Sequence, residues 1–72
     1  MSVGEKIRHY RQQRHLTQAQ LGALIGKNRV TVLKYELGQI DIPFSALQKC
    51  AQALNMPLRR LLDDEAKRVQ SA

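Results

Sequence analysis

The sequence predicts an all-α domain of five short helices, and three observations carry that expectation. Apolar residues recur at three- and four-residue spacing from one end of the chain to the other, and no stretch of four or more residues alternates as a half-buried strand does. Each break between periodic segments is two to six residues long, which leaves no room for a linker. At 72 residues the chain has the size of one small domain. We place that domain at residues 1–64, with 65–72 as a helix end or frayed tail.

The elements follow in order. Val3, Ile7 and Tyr10 stand at i, i+4 and i+7, giving a first helix that ends near His15 with Lys6, Arg8 and Gln12 facing outward. Thr17-Gln18-Ala19-Gln20 has the form of a capping box and starts a second helix over Gln18 to Ile25, burying Leu21, Leu24 and Ile25. Gly26 stops it, since glycine turns left-handed without steric cost, and Asn28 caps a third helix over Arg29 to Leu37. Val32 and Tyr35 share the inner face of that helix; Arg29, Val30, Leu33 and Lys34 share the outer one, and Gly38 closes it. Ile42-Pro43 opens the fourth helix, with Pro43 in its first turn and Phe44, Leu47, Cys50, Ala51 and Leu54 as the inward stripe up to a left-handed stop at Asn55. Pro57 opens the fifth, whose Leu58, Leu61, Leu62, Ala66 and Val69 repeat at helical spacing, with Asp63–Lys67 and Asp64–Arg68 as supporting i,i+4 pairs.

Charge narrows the function classes. Twelve Lys and Arg against six Asp and Glu leave +6, and the excess is lopsided: residues 1–40 carry seven basic and two acidic residues, residues 41–72 five and four. A polyanion is the expected partner, with its contact surface in the first half. The longest apolar run, Ala23 to Ile25, is far short of the roughly 20 residues of a membrane span, and the start lacks a secretory signal. The expectation is therefore a soluble, cytoplasmic protein with no membrane partner. The single Cys50 makes no internal disulfide, and a chain this small gains from a second copy.

The informative stretch is Thr17 to Gly38: a capped helix, a tight glycine turn, and a second capped helix with a basic, amide-rich start. A helix-turn-helix needs a first helix whose N-terminus meets a phosphate, a short turn, and a small residue at the crossing. Gln18, Gly26 and Gly22 or Ala23 meet those needs. Asn28 and Arg29 then form the exposed start that enters a major groove about 12 Å wide.

These residues resemble the Cro/CI-type (XRE) helix-turn-helix DNA-binding domains of phage repressors, restriction-modification controllers and bacterial regulators. The resemblance runs over about residues 3 to 64, on Ile7-x3-Arg11, Leu16-Thr17-Gln18-x2-Leu21, Ile25-Gly26, Thr31-Val32-x2-Tyr35-Glu36-x-Gly38, Leu47-x2-Cys50-Ala51-x-Ala53-Leu54 and Pro57-Leu58-x2-Leu61-Leu62. It implies a compact five-helix lambda-repressor-like fold and a homodimer that controls transcription from a pseudo-palindromic operator in double-stranded DNA. It implies base reading by Gln18, Asn28, Arg29 and Val30, to which Leu33 adds itself on the same outer face, and a nucleoid-associated protein. Phosphate contacts fall to Arg8, Thr17, Lys27, Lys34 and Gln39, and Thr31 either contacts phosphate or holds the helix start. Arg11 and Glu36 match the ion pair that joins helices 1 and 3 in the family. Two departures matter: Lys27 fills a turn position usually apolar, and Leu33 sets a second apolar side chain beside Val30, a pair suited to thymine methyl groups.

Ile40, Ile42, Leu58, Leu62 and Val69 exceed what a small core needs and are the expected dimer surface. Two other readings compete with a repressor or autoregulatory controller. One is an antitoxin that holds a toxin and represses its own operon; the other is a helical module that docks a protein partner. An enzyme is not expected. His9 and His15 are six apart and share no helix face, Cys50 sits on an apolar stripe, and so neither a metal, a cofactor nor a Cys–His nucleophile is called for.

Overall fold

The computed structural model describes residues 1–62 and contains α1 (Val3–Gln13), α2 (Gln18–Ile25), α3 (Arg29–Leu37) and α4 (Phe44–Ala53), followed by helical residues 58–62, the described part of α5. The pairs Asp63–Lys67 and Asp64–Arg68, together with Ala66 and Val69, lie outside the described residues.

Capping chemistry sets the starts. Ser2 Oγ accepts the Glu5 amide at 3.1 Å while Glu5 Oε1 accepts the Ser2 amide at 2.8 Å, a capping box whose signal, Ser2-x-x-Glu5, was open to sequence reasoning and missed. Thr17 and Gln20 make the same reciprocal pair at 3.0 and 2.8 Å. Asn28 Oδ1 accepts the Thr31 amide at 2.8 Å. Pro43 is the residue before α4 rather than part of its first turn, and it caps without a side-chain bond. The stops are left-handed at Gly26 (φ 74°), Gly38 (φ 72°) and Asn55 (φ 56°). α1 ends two residues earlier than expected, because His15 itself turns left-handed at φ 58°.

The core is one cluster. Ile7, Leu21, Ile25, Val32, Cys50, Leu54 and Leu61 are essentially inaccessible, ringed by Tyr35, Ala46, Ala51 and Met56. α3 packs on both α1 and α2, and α4 packs on α2, so the second helix pair is held from two sides.

Three burial expectations are corrected. Leu24 is 58% exposed: the inner arc of α2 is Leu21, Gly22 and Ile25, and at 100° per residue position 24 falls outside it. Phe44 is 61% exposed: it is the first residue of α4, whose buried residues, Ala46, Cys50 and Ala51, lie further along the helix. Lys6 is buried rather than outward: its stem is covered and its Nζ donates to the Arg60 carbonyl at 3.3 Å, tying α1 to the residues of α5.

Candidate nucleic-acid interface

Why α2 and α3 approach so closely is visible at Gly22. A Cβ at this position would stand 2.5 Å from the Lys27 carbonyl oxygen, so the small residue at the crossing is Gly22 and not the exposed Ala23. The turn then closes within three residues, with the Gly26 and Lys27 amides both donating to the Gly22 carbonyl. Close-packed, joined by a short turn and capped at both helix starts, α2 and α3 have the build of a helix-turn-helix.

A buried ion pair fixes α3 against α1. Arg11 Nε donates to Glu36 Oε2 at 2.6 Å and Arg11 Nη2 to Glu36 Oε1 at 3.1 Å, a two-pronged contact with both side chains under 10% exposed. Arg11 Nη1 also donates to the Leu16 carbonyl at 2.8 Å, so one guanidinium ties α1, the α1–α2 turn and α3 together. Gln18 joins the cluster, with Nε2 donating to Glu36 Oε1 at 3.1 Å.

The outer stripe of α3 is open. Arg29, Val30 and Lys34 are exposed, whereas Thr31 and Leu33 are half-buried. Thr17, Lys27, Asn28 and Gln39 are exposed around the same two helices, as is Arg8 on α1. Arg8, Arg11, Gln12, Gln18, Leu33, Glu36 and Leu37 line a recess of about 300 Å³ between α1, α2 and α3. Of the exposed cations, Arg8 shares this recess with Glu36, whose charge is already taken up by Arg11. Asn28 turns its carbonyl oxygen to the cap, which leaves its N–H₂ group without a partner in the helix start.

The expected dimer residues are divided. Ile40 is 41% and Leu62 37% exposed, while Ile42 and Leu58 pack partly against the core. Ile40 and Ile42 line one recess with Val3, Tyr35 and Leu47, and neither Leu58 nor Leu62 joins them there. Val69 lies outside the described residues.

Among the described residues, no three His, Cys, Asp or Glu side chains gather as metal ligands, and no helix is long and apolar enough to cross a membrane. Cys50 is fully buried; desolvation, and then the charge of Glu36, push its thiol up to about 11.

Fold and site together define a helix-turn-helix domain with a basic outer helix. The helix-turn-helix family model matches residues 7–61, and the chain belongs to that family, the Cro/CI (XRE) type of DNA-binding regulators. Two solved structures agree. The P22 c2 repressor, crystallised in complex with the synthetic operator 9T in the presence of Tl⁺, is 26% identical with a TM-score of 0.79 over 85% of this chain and 92% of that one. The restriction-modification controller protein C.AhdI from Aeromonas hydrophila is 32% identical with a TM-score of 0.79, over 82% and 89% respectively. No curated protein matches the sequence.

Proposed function

We propose that this chain is a sequence-specific transcriptional regulator, a repressor or autoregulatory controller, that binds a pseudo-palindromic operator as a homodimer with α3 in the major groove. The observation that carries the proposal is the exposed, cation-rich stripe of α3, set on a frame that α1 and α2 hold rigid. The likeness to a repressor crystallised on an operator, and to a controller protein, supports it.

In this reading residues 1–64 are the DNA-binding unit, and Gln18, Asn28, Arg29, Val30 and Leu33 meet base edges. Arg29 makes a bidentate contact to guanine O6 and N7, worth about 1–3 kcal/mol of discrimination. The Asn28 N–H₂ group meets an acceptor such as guanine O6 or thymine O4, since the cap turns its oxygen toward the helix start. Arg8, Thr17, Lys27, Thr31, Lys34 and Gln39 take phosphates, which makes binding fall steeply with salt. Ile40, Ile42, Leu58, Leu62 and Val69 join the protomers and set half-site centres about 34–36 Å apart.

Selection from a random duplex library at ~150 mM salt, with wild type beside Arg29→Ala, tests the proposal. An inverted repeat with centres one turn apart, blurred at one position by the substitution, is the expected result. Salt-labile binding without an enriched sequence, indifferent to Arg29, would overturn it. Sedimentation of Leu62→Glu tests the interface, with loss of dimer expected.

A further inference from the structure

We infer that Glu36, a residue buried away from any ligand, decides which base Gln18 accepts by fixing the direction of its amide. The inference rests on the reading above, in which Gln18 meets a base.

The starting observation is the shared carboxylate. Glu36 is 6% exposed and receives three hydrogen bonds: Arg11 Nε on Oε2, and Arg11 Nη2 together with Gln18 Nε2 on Oε1. A carboxylate gripped by a guanidinium accepts and does not donate. Only the N–H₂ end of the Gln18 amide can therefore face it. Turned by half a rotation, the amide would set its own oxygen against Glu36 Oε1, acceptor against acceptor, beside a carboxylate that is itself almost wholly buried. Arg11 in turn holds the carboxylate at both oxygens and is anchored on the Leu16 carbonyl, so Glu36 is not free to swing aside.

With Nε2 held inward, Gln18 has its Oε1 acceptor and one remaining N–H to offer. Gln18 is the first residue of α2 and lines the recess beside Leu33, on the outer stripe of α3. An acceptor next to a donor matches the major-groove edge of adenine, N6–H₂ beside N7. Guanine presents O6 and N7, two acceptors, and would oppose the Gln18 carbonyl. An unrestrained glutamine can turn so that its N–H₂ end alone meets a guanine acceptor and its carbonyl points away; here Glu36 holds that end inward and forbids the turn. Glu36 is thus a positioning residue for specificity, acting through Gln18, and its effect is confined to one base pair per half-site.

The test is selection from a random duplex library with wild type, Gln18→Ala and Glu36→Gln. Wild type is expected to select adenine at one position that Gln18→Ala leaves undetermined. Glu36→Gln, which lets the neighbouring amide turn, is expected to lose about tenfold of the adenine-over-guanine preference there and to keep the preference read by Arg29. A Glu36→Gln profile unchanged at that position overturns the inference alone, as does guanine selected there by wild type. No enriched site for wild type overturns the DNA-reading beneath it. Because Glu36→Gln strips a buried arginine of its counter-charge and can fail to fold, wild type supplies a second readout. In isotope-labelled protein bound to the selected duplex, the coupling across the hydrogen bond from Gln18 Nε2 to the Glu36 carboxylate is expected to persist, and its loss on binding overturns the inference.

Discussion

Gly22 and Lys27 touch so closely that the carbonyl oxygen of one lies 2.5 Å from where a methyl on the other would be. The contact is backbone, which cannot swing away as a flexible side chain can. Gly22→Ala gains about 1 kcal/mol of helix propensity and loses more than that to the overlap, which typically costs about 1–3 kcal/mol or greater where only backbone can yield. A net loss of about 1–2 kcal/mol in urea unfolding is expected. Ala23→Gly, one residue along on the exposed side, is the control and should cost no more than about 1 kcal/mol through propensity. Equal losses in the two variants would show that the close approach is not what Gly22 provides.

The Arg11–Glu36 pair should show the asymmetry of buried charges. Arg11→Met leaves Glu36 without its guanidinium and Gln18 as its sole remaining donor among the described residues, and a loss of about 3–5 kcal/mol is expected. Arg11→Met combined with Glu36→Leu removes both charges and should recover part of that loss, since replacing a whole buried pair by apolar groups is often close to neutral. Thermal unfolding of wild type, Arg11→Met, Glu36→Leu and the double variant decides it. A double variant that loses the sum of the two single losses would mean that the charges do not act as a unit.

The helix-turn-helix was legible because its signals are local. Thr17, Gln20, Gly26, Asn28 and Gly38 each act on the backbone within a few residues, and the bounds of α2 and α3 follow from them. What failed depended on tertiary placement. Leu24 and Phe44 are apolar and near the right period, yet which side of a helix is inside depends on where its neighbours sit, and these two are left exposed. Lys6 falls outside the apolar row Val3, Ile7 and Tyr10, yet it is buried and its head finds the Arg60 carbonyl, a partner fifty-four residues away that periodicity does not show. Gly4 drew no notice in a sequence reading, although a Cβ there would meet the Tyr35 carbonyl oxygen at 2.3 Å, which makes it the point where α1 crosses the end of α3. The link from Gln18 to Glu36 is likewise a product of folding, between residues eighteen apart in the chain.

Val30 and Leu33 carry the prediction most specific to this chain. Val30 is 46% exposed on the outer stripe, and Leu33 lines the recess beside Gln18. Apolar side chains at base edges favour the thymine methyl group. Val30→Ser and Leu33→Ser should each weaken binding about five- to tenfold on operators with thymine at the facing position and hardly at all where it is replaced by uracil, which lacks the methyl. Titration of matched thymine and uracil duplexes measures it. Equal weakening on both would assign the loss to packing within the protein.

Cys50 links the core to alkaline pH. Burial raises its thiol from an ordinary 9.0 to about 11, with the Glu36 charge adding to the effect. The sign follows from which state releases the proton first. Once unfolded, the thiol ionises near 9.0, while the folded protein holds its proton to about 11, so the stabilising contribution is complete below pH 9 and is lost as pH rises from 9 to 11. By pH 11 the loss is on the order of 2–3 kcal/mol. The difference between wild type and Cys50→Ala isolates the thiol. Cys50→Ala should be less stable at pH 7 through the cavity it leaves, and the gap should narrow steadily above pH 9. A gap that stays constant from pH 7 to 11 would mean that the thiol is no harder to ionise in the folded protein than in the unfolded chain.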